Sequence, residues 1–89
     1  MSLLLVIIDL SASSGNRPEL IDHIEKFSHT RLSDTSYAII TDKTPAMVCE
    51  GLKNFLEKED NLYVITLNRP FDACGPGLAT DWLKKSLTY

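Results

Sequence analysis

The chain has 89 residues and a net charge of −3, a size that fits one domain with a modest hydrophobic core. Its 44% hydrophobic content argues against disorder, and its acidic balance argues against a protein that coats nucleic acid, although a local basic patch stays compatible with it. The two cysteines, Cys49 and Cys74, lack metal-ligand spacing. They are expected to be reduced thiols, which favours a cytoplasmic location.

An unbroken apolar run opens the chain at residues 3–8 and ends at Asp9. The run is too short to span a bilayer and has no basic residue before it, so it is not read as a membrane segment or a signal peptide. A strand that is apolar at successive positions is typical of the centre of a sheet, buried on both faces. Asp9 is then expected where this strand leaves the core, a place where α/β folds commonly carry functional groups.

A helix and a hairpin are expected next. The small polar residues 11–16 predict a loop, and Pro18 followed by apolar residues at helical spacing up to Phe27 predicts an amphipathic helix of about three turns. Residues 31–33 and 37–41 are strand candidates on either side of a turn at 33–35.

The second half of the chain again contains predicted helices and a predicted strand. Thr44 and Pro45 signal a helix start, and an apolar stripe from Val48 extends this helix to Leu56. Residues 62–67 predict the last strand, residues 68–77 a loop with two prolines and two glycines, and residues 81–85 a short terminal helix.

This order predicts an α+β fold: a single ferredoxin-like βαββαβ sandwich over residues 1–89, with a short C-terminal helical tail. The first and third strands are expected to be parallel neighbours at the centre of the sheet. The last strand is expected at an edge, where its apolar residues would be sticky unless the tail or a second subunit covers them.

Two carboxylates are the candidate metal ligands. If the first and third strands are parallel, Asp9 and Asp42 end on one rim and could together hold Mg²⁺, which prefers carboxylates with water and phosphate oxygens. Alternatively, Asp9 accepts hydrogen bonds from the loop that follows it, and Asp42 shapes the turn into the second helix. Neither His23 nor His29 is paired with a nucleophile in the sequence, so both are expected to be surface or helix-end residues.

Four segments together resemble the SinR-like bacterial and phage proteins: LLLVIIDL with Asp9 at its end, TSYAIITDKT, NLYVITL and DWLKKSL. That family is related to the smaller spacer-integration protein of CRISPR systems and to the VapD ribonucleases. The resemblance implies a homodimer of ferredoxin-like subunits. It also implies a catalytic Asp9 near the dimer axis, where two such carboxylates would support metal-dependent phosphodiester cleavage.

Two departures from that family keep a second hypothesis open. Ile8 stands where the CRISPR-associated relatives usually carry an aromatic residue, and Arg31 is the only basic residue around the second strand. The sequence therefore predicts a homodimer that is either a metal-dependent endonuclease or a non-enzymatic interaction or regulatory module that kept the fold and lost the nuclease site. A small-molecule-binding regulatory domain is a weaker third hypothesis, because only the loop at residues 11–16 supports it.

Overall fold

The computed structural model describes residues 2–11, 15–68, 74 and 77–86. These residues form an α+β domain with a four-stranded antiparallel sheet, which confirms the α+β part of the predicted fold. Its elements, in chain order, are β1 (Ser2–Asp9), α1 (Arg17–Glu25), β2 (Ser28–Ser33), β3 (Ser36–Thr41), α2 (Pro45–Leu52), a 3₁₀ helix (Lys53–Phe55), β4 (Asn61–Thr66) and α3 (Leu78–Ser86).

The four strands form one sheet in the order β2-β3-β1-β4, with every neighbouring pair antiparallel. The expectation that β1 and β3 are central neighbours is confirmed, but the expectation that they are parallel is wrong, because Ser2 lies opposite Thr41 and Ile7 opposite Ser36. The chain reverses at the β2–β3 turn, and β3 then lies between β2 and β1. Since β2 runs parallel to β1, the strand between them must be antiparallel to both.

The helices differ from the prediction mainly at their ends. Helix α1 ends at Glu25, and β2 begins at Ser28, three residues before the predicted strand. Helix α2 begins as predicted, with the Thr44 hydroxyl accepting a hydrogen bond from the Met47 N–H at 3.2 Å, but it ends at Leu52 and tightens into the 3₁₀ helix. In the part of the chain that the structure describes, no helix has the length and apolar character needed to cross a membrane.

Helices α1 and α2 cover one face of the sheet, here called the covered face. Side chains from both helices and the two central strands form its core, and every one of them is at most 3% exposed. These residues are Leu4, Val6, Ile8, Leu20, Ile24, Tyr37, Ile39, Val48 and Leu52. Leu62 and Val64 of β4 pack against this core, which attaches the edge strand to it.

The opposite face carries a smaller cluster around Leu3 and Ala38. Trp82 and Leu83 of α3 pack against this cluster. Because α3 spans Leu78–Ser86, it is longer than the tail helix predicted from the sequence. The helix lies on this face near β2, so it shields the β2–β3 side of the sheet.

Candidate functional site on the open sheet face

A group of four apolar side chains lies on the face opposite α1 and α2, toward β4. We call this group, Leu5, Ile7, Tyr63 and Ile65, the open patch; Leu5 lies opposite Ile65 and Ile7 opposite Tyr63. Side chains alternate between the faces of a strand, so all four share one face. Tyr63 and Ile65 are each 50% exposed. Exposed apolar side chains that adjoin one another make this group a candidate interaction surface.

Asp9 borders the open patch. It is the last residue of β1, it is exposed, and it lies opposite Asn61 of β4. Asp9 lies two positions after Ile7 in β1, so its side chain is on the same face as the patch. The predicted position at the end of a central strand is therefore confirmed, while the predicted catalytic role stays a prediction.

Asp42 lies at the opposite rim of the sheet, which overturns the expected pairing of the two carboxylates. It follows Thr41, and Thr41 lies opposite Ser2 at the beginning of β1. Asp9 is seven residues farther along β1, which is about 23 Å at the rise of a β-strand. The two carboxylates cannot share one metal ion within a subunit. The reason is the antiparallel pairing, which places the ends of β1 and β3 at opposite rims.

The structure also shows a carboxylate, Asp60, that connects two segments of the chain and that the sequence did not predict. The Asp60 carboxylate accepts hydrogen bonds from the N–H of Ser11 at 2.7 Å and from the N–H of Glu57 at 2.9 Å. It thus joins the segment after β1 to the turn before β4. The Ser11 N–H, the first of the loop that follows Asp9 and β1, therefore donates to Asp60. An Asp at the end of a polar turn was the available signal, since such side chains bond local backbone.

Both histidines lie near the C-terminal end of α1, His23 in its last turn and His29 in β2. His23 packs its ring against Phe55, with 4.5 Å between centroids, and its Nδ1 lies 3.3 Å from the Glu19 carbonyl oxygen. His29 Nδ1 lies 2.9 Å from the Phe27 carbonyl oxygen. These contacts are structural, and neither ring faces the open patch.

A shallow cleft of about 230 Å³ lies between α1 and α2. Its lining includes Lys26, Lys43, Met47 and Gly51, and the Lys43 ammonium lies 5.8 Å from the centre of the Phe27 ring. Ligand pockets usually measure about 300–1,000 Å³. The cleft is smaller than that, so the open patch is a stronger candidate for function than this cleft.

Of the two predicted Mg²⁺ ligands, one subunit brings only Asp9 to the end of β1. Among residues 2–11, 15–68, 74 and 77–86, no group of three or more His, Cys, Asp or Glu side chains could hold a metal ion. Asp9 and Asp42 are too far apart to act together, so Asp9 would supply one carboxylate. A magnesium ion bound there would need ligands from outside the described part of the subunit.

No protein-family model, curated protein or solved structure matches this chain. The resemblance to the SinR-like proteins stays a prediction. The functional argument therefore rests on the geometry of the chain itself.

Proposed function

We propose that this protein is a homodimeric interaction module of ferredoxin-like fold, a CRISPR-associated-like and SinR-like architecture that works without a nuclease site. The observation that carries the proposal is the open patch. A domain of this size gains much from burying further apolar surface, and a second subunit supplies that burial.

The strand order supports the ferredoxin-like part of the proposal. A split βαβ arrangement places β3 between β1 and β2 and leaves β4 beside β1, which agrees with the order β2-β3-β1-β4. The two helices that pack on one face of this sheet also agree with it. The same architecture serves many functions, so the activity is argued from the patch and not from the fold.

The charge distribution supports a protein partner. The chain carries 9 Lys and Arg residues against 12 Asp and Glu residues. The open patch contains no cation to contact phosphate, whereas nucleic-acid interfaces are strongly basic. An apolar patch beside an acidic residue fits a protein surface better.

Sedimentation equilibrium across a wide range of protein concentrations tests the proposal. We expect the weight-average mass to rise from that of one subunit toward that of two. The variant Tyr63→Ser should shift this curve to higher concentration while its far-UV circular dichroism stays unchanged. A wild-type protein that remains monomeric at every concentration contradicts the proposal.

A metal-dependent nuclease is the second candidate function, and one observation favours it: Asp9 is exposed at the end of a central strand. In a dimer whose axis passes near Asp9, the two Asp9 carboxylates would supply two ligands for one Mg²⁺. Cleavage of single-stranded RNA and duplex DNA with Mg²⁺ or Mn²⁺ tests this, with wild type compared with Asp9→Ala. Equal activity in the two proteins, or none in either, rejects it.

A further inference from the structure

The outer edge of β4 presents main-chain N–H and C=O groups, and the pairing with β1 shows which residues carry them. The Leu67 N–H donates to the Leu3 carbonyl oxygen at 2.8 Å. In this register the odd-numbered residues of β4 therefore make their main-chain hydrogen bonds to β1. In an antiparallel ladder, alternate residues bond to opposite sides. The N–H and C=O groups of Leu62, Val64 and Thr66 therefore point away from β1. Within the described part of the chain, no further strand lies beyond β4.

We propose that a second copy of this chain pairs with β4 in antiparallel register, with Val64 opposite Val64 of the partner copy on the two-fold axis. This inference deepens the proposed homodimer and rests on it. The register joins the two sheets into one sheet of eight strands. It also places Leu62 opposite the second copy's Thr66, so all three outward-pointing residues of each strand are paired.

This register also places the β4 side chains of the two open patches next to each other across the new strand pair. Tyr63 of each copy lies opposite Ile65 of the other, in a non-hydrogen-bonded pair where side chains are closest. Aromatic and β-branched residues are favourable cross-strand partners. A register shifted by one pair toward the beginning of β4 would place Tyr63 opposite Tyr63 of the other copy and Ile65 opposite Asn61. It would leave the apolar side chains less well matched.

Charge permits this pairing even though the chain is acidic. Strand β4 has no charged residue, and the acidic turn at residues 57–60 lies at its beginning. In an antiparallel pair the two Asp60 residues are eight residues apart along the strands, about 26 Å. That distance exceeds the Debye length of about 8 Å at physiological ionic strength, so their repulsion is screened.

The second edge strand is a poorer partner for β4. Strand β2 has an irregularity between Arg31 and Ser33, and it carries the exposed Arg31–Asp34 ion pair at 3.1 Å. Bulges and charges are devices that protect edge strands. Pairing of β4 with the β2 of another copy would also build an open filament, whereas β4 with β4 closes as a dimer.

The proposed geometry separates the two Asp9 residues. Each Asp9 is level with Asn61, three residues from the axis, and the two β1 strands are three strand spacings apart. Their separation is roughly 25 Å, too far for one metal ion. The strand-pair dimer and the nuclease with a shared metal are therefore mutually exclusive.

Disulfide trapping tests the register. Both native thiols are free, so the test variants carry Cys49→Ser and Cys74→Ser. A mixture of Tyr63→Cys and Ile65→Cys proteins should form a heterodisulfide, because non-hydrogen-bonded pairs have Cα atoms about 4.5 Å apart. Tyr63→Cys alone should not, because its diagonal Cα distance of about 7–8 Å is too long. A Tyr63→Cys homodisulfide that forms faster than the heterodisulfide overturns the proposed register.

The effect of lysine substitutions on the dimer dissociation constant provides the second measurement. Ile65→Lys should raise the dimer dissociation constant by about tenfold or more, because it places a charge opposite Tyr63 of the other copy. Met47→Lys is the matched control, since Met47 is 54% exposed but lies on α2. A dimer that survives Ile65→Lys and forms no heterodisulfide overturns β4 pairing and leaves the homodimer intact. A monomeric wild type overturns both.

Discussion

The two faces of the sheet are built by the same strands but buried to different extents. On the covered face, Leu4, Val6 and Ile8 of β1 are at most 1% exposed beneath α1 and α2. On the other face, α3 packs near Leu3, while Tyr63 and Ile65 of β4 remain half exposed. The difference shows that the covered face supplies most of the burial within the subunit, whereas β4 keeps apolar side chains of the open patch in contact with solvent.

The largest expected effect comes from truncating one isoleucine on each face of the sheet. Ile8→Ala should lower the free energy of unfolding by about 3 kcal/mol, because it leaves a cavity in a close-packed core. Ile65→Ala should lower it by less than about 1 kcal/mol in the monomer, because the side chain is already half hydrated. Urea denaturation at one low protein concentration measures both. Equal losses would mean that the two faces contribute alike.

Removing Trp82 should extend the open surface toward β2. Trp82→Ala takes away a partly buried contact between α3 and the cluster around Leu3, so we expect a loss of about 1–2 kcal/mol. Amide hydrogen exchange should then increase in α3 more than in α1. Trp82→Phe is the control, since it keeps an aromatic ring in the cluster. Unchanged exchange in α3 would show that the helix is held by other contacts.

A smaller effect is expected at the beginning of α2, which covers the core. Thr44→Ala removes the hydroxyl that accepts a hydrogen bond from the Met47 N–H, so stability should fall by about 1 kcal/mol. Thr44→Ser keeps an acceptor and should recover most of the loss. Thermal unfolding of the three proteins measures this. A Ser variant as unstable as the Ala variant would place the effect in the lost methyl group instead.

The smallest effect at neutral pH, and a distinctive one at high pH, is expected at Tyr37. Burial beneath the helices, followed by the nearby Glu25 carboxylate, raises the pKa of Tyr37 above its ordinary value of 10.0. The unfolded chain then loses this proton at a lower pH than the folded chain does. Stability therefore falls as pH rises from about 10 toward the folded-state pKa.

Tyr37→Phe should flatten this alkaline loss while preserving the ring packing. Urea denaturation as a function of pH measures the change. Tyr63→Phe on the open patch is the matched control, since it removes an exposed hydroxyl. An alkaline slope that is the same in wild type and Tyr37→Phe contradicts the assignment.

Sequence patterns predicted the elements well because their signals are local. The apolar run of β1, the Thr44 cap and the strand at residues 62–67 each depend on neighbours in the chain. The orientation of β3 relative to β1 depends on how the hairpin folds back beside a distant strand. This orientation was predicted incorrectly, and the predicted Asp9–Asp42 metal site depended on it.

The open patch was only partly predictable. The apolar run at residues 3–8 indicated burial on both faces, but a strand pattern does not show how far a terminal helix extends over a sheet. The apolar character of the last strand was noted from the sequence, and its predicted position at an edge of the sheet is confirmed. The role of Asp60 was not predicted, because the Ser11 N–H that it binds is 49 residues away in sequence.

That same long-range contact bears on the order in which the protein folds. The β2–β3 hairpin closes over a two-residue turn, while β4 reaches β1 only after most of the chain has been synthesised. Closing so long a loop costs chain entropy before any contact repays it, so β4 docking is expected late in folding. Until it docks, the exposed side of β1 is a vacant edge that β4 from a neighbouring chain could fill. Refolding at high concentration should therefore yield strand-exchanged species, and these would carry the Asp60–Ser11 hydrogen bond between two chains.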